Sequence, residues 1–358
     1  MLLLSKLTLV IPTYNRQRYA LRNMRYWSES AVTVHVLDGS AQQIPAEEMA
    51  GLSANINYHH LPISILERLA KAVDLVQTEY SALCGDDEFF IPDALQSCIQ
   101  ELEADKTLVS CMGRCLLFKP ISKQIIGLPA YTEMENYQVL QDDPNSRMIH
   151  HMNPYTSSTI YSVVRTPVWK LAMRVATKKL FFIALPEFQF EMSVCYQGKS
   201  KVIQNLMWLR SAENAPMRDD NLSFLEWWFD KNKANEREEC LALMSSALAQ
   251  GDIERLESVK KGVQAAFDVF YAWLGGDRRY FYNEVSKRVP PATKALINKI
   301  LAVIGVHRHA PAEFGDKSLL QATKDLESTG VRVNYDHLLR VVELVRQFHK
   351  WKVEQSVD

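Results

Sequence analysis

The chain has 358 residues, of which 47% are hydrophobic and 23% are charged, and its formal net charge is −1. These values are ordinary for a globular protein with one large or two unequal domains, and they give no basic field that would indicate nucleic-acid binding. The apolar start, residues 1–4, is too short for a signal peptide or a membrane span, and no later apolar run approaches transmembrane length. We therefore expect a cytoplasmic protein without a transmembrane segment.

Strands and helices alternate at the start of the chain. Residues 7–11 predict a buried strand that ends at Pro12, and residues 31–37 and 56–60 predict two more. Residues 64–77 predict a helix, and the apolar run 80–84 predicts a strand that leads into an acidic turn. This alternation predicts βαβ units, an α/β fold and a parallel sheet. The apolar face of the helix is predicted to comprise Leu66, Leu69, Ala70, Val73 and Val76.

Three polar segments follow predicted strands. They are Pro12-Thr13-Tyr14-Asn15-Arg16, Asp38-Gly39-Ser40 and Gly85-Asp86-Asp87-Glu88. Because right-handed crossovers place the carboxyl ends of parallel strands at one edge of a sheet, we expect these segments to meet. An aromatic ring and acids suit a nucleotide: Tyr14 can pack on a base, and Asp38 can accept a hydrogen bond from a base N–H or a ribose hydroxyl.

Asp86 and Asp87 have two interpretations. Adjacent carboxylates at a strand end can ligate a hard divalent cation that carries a diphosphate, or they can form a solvated acidic turn. No G-x-G-x-x-G follows the first strand, and no G-x-x-x-x-G-K-[ST] occurs in the chain. The lack of both glycine-rich phosphate loops favours a metal ion as the group that neutralises the diphosphate.

These segments, together with Val10-Ile11 before the first and Ile91-Pro92-Asp93 after the last, resemble the motifs of family 2 glycosyltransferases of the GT-A fold. The resemblance covers roughly the first hundred residues. It implies a Rossmann-like GT-A domain, a nucleotide-sugar donor with a UDP-sugar favoured, and Mn2+ or Mg2+ as cofactor. It also implies that Asp87 and Asp86 ligate the metal. The residues that it places near the donor are Pro12, Thr13, Tyr14, Arg16, Asp38 and Asp86.

The chain departs from the family pattern in two of these segments. Leu37 stands where many members have the first of two acids, so that Asp38 alone would contact the base. Glu88 replaces a further aspartate after the acid pair, and we expect it to be a rim residue.

Arg68 falls where many members carry an arginine close to the nucleotide. A donor contact is one interpretation of this residue. The other is an exposed salt bridge on its helix, with Glu67 or Asp74 as the partner.

Residues 127–157 are rich in Pro, Asn, Asp, Tyr and Met and show no clear periodicity. Strand-like patterns flank them at residues 108–119 and 158–165. Long irregular segments inside compact domains are usually binding loops or locally disordered. We expect either a loop that faces the acceptor or a mobile surface insertion.

A second acidic position lies at the start of a predicted helix, in which Phe188, Glu191, Met192 and Cys195 share a face. The resemblance implies that Glu187 is the catalytic base, although the family usually has aspartate there, and Glu191 is the reserve. In an inverting transfer a carboxylate at this place removes the proton of the acceptor hydroxyl. The alternative is a glutamate favoured only by the helix dipole.

Two arginines follow the last strand predicted for the catalytic domain, at residues 199–209. Arg210 and Arg218 are candidates to stabilise the leaving diphosphate by bidentate contacts, and Arg218 lies on a segment that can act as a lid. Taken singly, each is also explained as a surface arginine.

From residue 222 onward the pattern is helical, which predicts a GT-A catalytic domain over 1–221 and a helical domain over 222–358. The aromatic cluster Phe224, Trp227, Trp228 and Phe229 is expected at the seam between them; packing on a sugar or contact with a membrane are the alternatives.

Together these features predict a metal-dependent, inverting glycosyltransferase that moves a single sugar from a nucleotide-diphosphate donor to a glycan or lipid-linked acceptor. By resemblance, we expect it in bacterial surface polysaccharide synthesis. We expect it in the cytoplasm or at the inner face of the membrane. Two alternatives belong to other classes. One is a catalytically silent GT-A scaffold, and the other is a sugar-nucleotide pyrophosphorylase, whose glycine-rich loop with a downstream Lys or Arg is missing from this chain.

Overall fold

The computed structural model describes residues 3–214, 224–276 and 315–350. In this part of the chain a single sheet of ten strands has the order β3-β2-β1-β4-β9-β6-β10-β5, with β7 paired to β6 and β8 paired to β10. The strands are β1 (Leu7–Thr13), β2 (Thr33–Asp38), β3 (Ile56–His60), β4 (Tyr80–Leu83), β5 (Phe89–Phe90), β6 (Leu108–Ile121), β7 (Gln124–Ala130), β8 (Gln138–Val139), β9 (Val163–Arg165) and β10 (Lys199–Ser211).

Parallel pairing dominates the part of the sheet that carries the polar segments. β3, β2, β1 and β4 are parallel neighbours, and β6 is parallel to β10. β9 runs antiparallel between β4 and β6. The expected α/β class with a mostly parallel sheet is confirmed.

The helices in the described residues are α1 (Gln17–Trp27), α2 (Ile65–Leu75), α3 (Pro92–Ala104), α4 (Pro144–His151), α5 (Thr166–Ala176), α6 (Leu185–Gln197), α7 (Phe224–Phe229), α8 (Ala234–Ala249), α9 (Ile253–Gly276), α10 (Leu319–Glu327) and α11 (Tyr335–Phe348). They cover both faces of the sheet. Leu9 and Ile11 of β1 join the core that includes α1 and α3, whereas Val10 joins the core that includes α2, α5 and α6. Burial on both faces explains the continuous apolar run of β1.

β1 extends two residues beyond its predicted end and includes Pro12. Its pairing with β4 stops at Val10, but its pairing with β2 continues to Thr13. Pro12 therefore lies past the last β4 pair, where its missing N–H removes no bond of that ladder. The extension brings Thr13 level with Asp38, the last residue of β2.

α2 begins where the sequence predicted, with Ser64 and Glu67 forming a capping box. Its buried face differs from the predicted one. Arg68, Ala72 and Val73 are buried within the helix, whereas Ala70 is exposed. The buried face of α2 is thus shifted toward Arg68, whose side chain contacts the ends of β1 and β2.

The prediction of an irregular segment at 127–157 is wrong. This stretch contains the end of β7, a 3-10 turn, β8 and α4. Asp143 caps α4 by accepting a hydrogen bond from the N–H of Ser146 at 2.7 Å, and Pro144 lies in its first turn. These elements are too short to show a period in sequence. Met134, Met148 and Met152 are fully buried, which excludes a surface insertion.

The helices after residue 222 pack in two places. α7, α8 and α9 share a core with α4 and α6, whereas α10 and α11 pack against the sheet core that includes β1 and β6. The division at 221/222 stays a prediction about chain organisation, and the helices described after residue 222 belong to two different cores. No helix in the described ranges has the length and apolar character needed to span a bilayer.

The aromatic cluster of α7 lies mainly inside the core that α7, α8 and α9 share with α4 and α6. Trp227 is fully buried, Phe224 stacks on Phe188 of α6 at 4.5 Å, and Trp228 stacks on Tyr271 at 4.4 Å. Phe229 is the exception, with 67% of its surface exposed. The cluster therefore joins α7 to α6 and α9.

Candidate active site

The acidic turn after β4 is buried. Asp86 and Asp87 retain 5% and 7% of their accessible surface. The amide of Asn23, on α1, donates to the carbonyls of Gly85 at 3.0 Å and Glu88 at 2.8 Å, and Arg22 donates to the carbonyl of Asp87 at 3.0 Å. The interpretation as a solvated turn is wrong, because α1 holds this backbone inside the protein.

The two carboxylates lie close to one cationic group. Asp86 accepts a hydrogen bond from Thr13 at 2.7 Å, and Asp87 accepts one from Asn214 at 2.7 Å. Nη1 of Arg16 lies 3.7 Å from Oδ1 of Asp86 and 3.9 Å from Oδ2 of Asp87. Burial, together with the charge of Asp87, raises the pKa of Asp86 to about 6. A cation beside this pair is therefore favourable.

The carboxylates of Asp86 and Asp87 fit a divalent cation bound together with a diphosphate. Among the residues that the structure describes, no three His, Cys, Asp or Glu side chains form a metal site of their own. Mg2+ is commonly held by one or two carboxylates, with the remaining ligands from substrate phosphates and water. Asp86 and Asp87 are the residues that would hold it, at the place where Arg16 now supplies positive charge.

Asp38 lies at the end of β2 and is fully buried. Its Oδ1 accepts the N–H of Ser40 at 2.8 Å, and its Oδ2 accepts from Gln17 and from the hydroxyl of Tyr58, both at 2.6 Å. Burial disfavours the ionised form, but these hydrogen bonds together lower the pKa of Asp38. Gln17 and Tyr58, which sequence reasoning missed, thus hold the carboxylate of Asp38 in place.

Arg68 is 3% exposed, so the exposed salt bridge is wrong. Its Nη1 donates to the carbonyls of Thr13 and Leu37, the latter at 2.8 Å, and so ties the ends of β1 and β2 together. Gly39 makes room for this contact, because a Cβ at that position would lie 2.5 Å from Cζ of Arg68. Nε of Arg68 is buried and has no hydrogen-bond partner among the described residues.

Tyr14 follows β1 and is 60% exposed at the same edge of the sheet. The next residue, Asn15, has a left-handed backbone with φ 55°, and its N–H donates to Oγ of Ser40 at 2.9 Å. This turn fixes the backbone beside Tyr14 and leaves its ring free for contact with a planar ligand.

Glu187 lies in the first turn of α6, and its Oε1 accepts the N–H of Ser158 at 2.9 Å. Burial and the charge of Glu191 raise the pKa of Glu187 to about 8. Glu191 is deeper, with 1% exposed, and both of its oxygens have donors: the N–H of Ile160 at 2.8 Å and the hydroxyl of Tyr155 at 2.6 Å. Of the two acids, Glu187 is the more accessible, because it is only partly buried.

Arg210 lies between the acidic turn and Glu187. Its Nε is 3.8 Å from Oε1 of Glu88, and its positive charge lowers the pKa of both Glu88 and Glu187, against the larger effect of burial. Glu88 is 7% exposed and accepts a hydrogen bond from the indole of Trp208 at 3.0 Å. Glu88 is thus a buried residue and not the rim residue that the sequence predicted. The net effect of burial and of Asp87 raises its pKa to about 8.

The structure gathers most of the predicted site residues in two adjoining groups. The first contains Pro12, Thr13, Tyr14, Arg16, Asp38, Arg68, Asp86 and Asp87, at or beside the carboxyl ends of β1, β2 and β4. The second contains Glu187, Glu191 and Arg210. Arg218 lies outside the described residues. Asn214, which sequence reasoning also missed, is 127 positions from its partner Asp87, and no local pattern marks it.

No protein-family model and no curated protein matches the chain. Among solved structures, TarS from S. aureus is 13% identical over 74% of this chain and 54% of that chain, with a TM-score of 0.42. The chain thus spans about half the length of that protein. TarS residues 1–349 in complex with UDP-GlcNAc are 13% identical over 74% of this chain and 89% of that chain, with a TM-score of 0.43. Similarity at this level assigns neither a family nor an activity to the chain.

Proposed function

We propose that the chain is a nucleotide-sugar-dependent glycosyltransferase of family 2 with a GT-A fold. The observation that carries the proposal is a buried acid pair, Asp86 and Asp87, beside a positive group. A second, separate carboxylate with a raised pKa, Glu187, supports it. The sequence resemblance through the first three strand ends supports the family.

The donor site is proposed around the ends of β1, β2 and β4. Tyr14 packs on the base, and Asp38, held by Gln17 and Tyr58, accepts a hydrogen bond from the nucleoside. Both carboxylate oxygens of Asp38 already accept hydrogen bonds from the protein, so Gln17 is proposed to shift when the nucleotide-sugar binds. A UDP-sugar is favoured, by the resemblance alone.

The diphosphate is proposed to bind beside Asp86 and Asp87 together with Mn2+ or Mg2+. When bound, the metal would supply a Lewis acid for the leaving group. Thr13 and Asn214 orient the two carboxylates through their hydrogen bonds. Arg210 and Arg218 remain the proposed cationic side chains for the diphosphate.

Glu187 is proposed as the base of an inverting transfer. Its carboxylate accepts the proton of the acceptor hydroxyl as that oxygen bonds to the anomeric carbon and the nucleoside diphosphate departs. With a pKa of about 8, its ionised form is a stronger base than an ordinary carboxylate. Glu191 is more deeply buried and bonded on both oxygens, which supports a role in orienting Glu187 rather than in proton transfer.

The acceptor is proposed to be a glycan or a lipid-linked glycan that receives one sugar per encounter, in surface polysaccharide synthesis at the inner face of a membrane. The elements at 127–157 are the proposed acceptor side, since Ser158, directly after them, contacts Glu187. Phe229, at 67% exposure, offers an apolar contact to a membrane.

A thermal-shift screen of UDP, GDP, CDP and dTDP with and without Mn2+ tests the donor class. A ligand that binds only the native state raises its melting temperature. The proposal predicts a stabilising nucleotide whose effect requires Mn2+. If no nucleoside diphosphate raised the melting temperature under either condition, the proposed function would be wrong.

A further inference from the structure

One buried carboxylate joins distant parts of the chain. Glu213 follows β10, and its side chain is 2% exposed. It accepts from Nη1 of Arg22 at 3.0 Å and from Nη2 at 2.6 Å, and from the hydroxyl of Ser211 at 3.1 Å. Nε2 of His349, directly after α11, lies 2.7 Å from its Oε1. Glu213 therefore connects α1, β10 and the end of α11.

Arg22 carries this connection to the acidic turn. The Nη2 atom that binds Glu213 also lies 3.0 Å from the carbonyl oxygen of Asp87. The guanidinium is enclosed by the rings of Tyr19, Phe89 and Phe348, whose centroids are 5.1, 5.0 and 4.6 Å from Cζ. Phe348 belongs to α11, so this helix covers the arginine as well as its partner.

The neighbour of Glu213 reaches the same turn from the other side. Nδ2 of Asn214 donates to Oδ2 of Asp87 at 2.7 Å. Glu213 thus holds the main chain of Asp87 through Arg22, and its neighbour holds the carboxylate. Both contacts depend on the positions of Glu213 and Asn214, two consecutive residues separated from β10 by Ala212.

The Arg22–Glu213 ion pair is buried. Both partners are 2% exposed, whereas the pair Lys179–Glu239 is 45% exposed on both sides. Burying two charges is costly and is often no more stabilising than an apolar contact of the same volume. This pair also holds the acidic turn through the bond from Arg22 to the carbonyl of Asp87, and its role is better explained as positioning that turn.

We propose that Glu213 is a positioning residue for the donor site, which fixes Asn214 and the Asp87 turn through contacts with Arg22 and His349. The end of α11 thereby contributes to donor binding without touching the donor. This inference rests on the proposed role of Asp87 in the donor site. Residues that orient metal ligands typically change metal affinity by about 10-fold to 100-fold when replaced.

The test compares Glu213→Gln and His349→Gln with Arg340→Gln as the matched control. Arg340 is also on α11, but its Nη2 donates to the carbonyl of Tyr26 at 2.9 Å, away from Glu213. Arg340→Gln therefore reports the general docking of the helix. All variants are first compared by thermal unfolding, and His349→Gln decides the matter if Glu213→Gln does not fold.

Two readouts are measured. Hydrogen exchange of the peptide over residues 84–90 follows the turn without any ligand, and calorimetric titration of UDP with Mn2+ follows donor affinity. We expect faster exchange at this turn and about tenfold weaker binding in Glu213→Gln and His349→Gln, with Arg340→Gln close to wild type. Wild-type exchange in both variants, or equal effects in Arg340→Gln, would overturn the proposal.

Asp87→Asn separates this inference from the proposed function. If this variant binds UDP with Mn2+ as the wild type does, the donor-site assignment fails, whatever happens at Glu213. If it loses binding while Glu213→Gln and His349→Gln bind normally, the donor site stands and the positioning role fails.

Discussion

Glu187→Gln is the substitution that tests the proposed base. It removes the ionisable group and keeps an oxygen that can accept the N–H of Ser158, which lies 2.9 Å from Oε1. General-base catalysis contributes roughly 10²-fold to 10⁴-fold to a rate. We therefore expect kcat to fall by that factor, with the affinity for the nucleotide unchanged, because Glu187 is not among the groups around Asp86 and Asp87.

The pH profile gives the same prediction a quantitative form. Burial and Glu191 raise the pKa of Glu187 from 4.5 to about 8. Only roughly one-tenth of the molecules would then have an ionised base at pH 7, so kcat/KM should rise with pH and level off above about 8. Glu191→Gln removes a negative charge that raises the pKa of Glu187, so the rise of kcat/KM should occur at lower pH in this variant.

The assay measures sugar transfer across pH 5.5–9 with a matched control, Glu239→Gln. Glu239 is 45% exposed and pairs with Lys179, so its loss should not alter the profile. Turnover of Glu187→Gln at the wild-type rate would refute the assignment of the base. A wild-type profile that is flat between pH 6 and 8 would refute the perturbed pKa.

The other predictions concern the residues that hold the site. The pKa of Glu88 is raised from 4.5 to about 8, so between these pH values the native state binds more protons than the unfolded state, and the free energy of unfolding falls as pH rises. Chemical denaturation at pH 5 and pH 8 should show a smaller fall in the free energy of unfolding for Glu88→Gln than for the wild type. An equal fall in the two proteins would contradict this. Arg68→Met should lower the free energy of unfolding by about 1–3 kcal/mol, since the carbonyls of Thr13 and Leu37 lose a buried donor, and urea unfolding measures it. Gly39→Ala should act in the same direction, because its Cβ would lie 2.5 Å from Cζ of Arg68, and an unchanged urea midpoint would exclude the close packing seen here.

The strand-end segments were predictable because the rule behind them is topological. Polar residues that follow buried parallel strands meet at one edge, whatever the details of packing. Thr13, Asp38 and Asp86 meet in this way, with Thr13 bonded to Asp86 at 2.7 Å and level with Asp38 across the β1–β2 pair. The strand at residues 56–60 was also predicted with its observed bounds.

Residues whose role depends on side-chain packing were not predictable. Apolar periodicity placed Ala70 on the buried face of α2, whereas Arg68 and Ala72 are buried and Ala70 is exposed. Two backbone carbonyls accept hydrogen bonds from Arg68 and stabilise its burial. The spacing of apolar residues carries no information about these bonds. The spacing of Arg68 and Ala72, four positions apart, was the available signal.

The contacts made by the residues that follow β10 had no sequence signal. Asn214 and Asp87 are 127 positions apart, and Glu213 and His349 are 136 apart. The secondary structure at 127–157 escaped prediction for a different reason: a two-residue strand and an eight-residue helix are too short to show a period.

Asp86 and Asp87 are proposed to hold a divalent cation together with a nucleoside diphosphate. Electron paramagnetic resonance of free Mn2+, titrated with protein in the presence and absence of UDP, measures this directly. We expect the wild-type protein to remove Mn2+ from solution when UDP is present, and Asp87→Asn to do so at least about tenfold more weakly. Equal uptake of Mn2+ by the two proteins would contradict it.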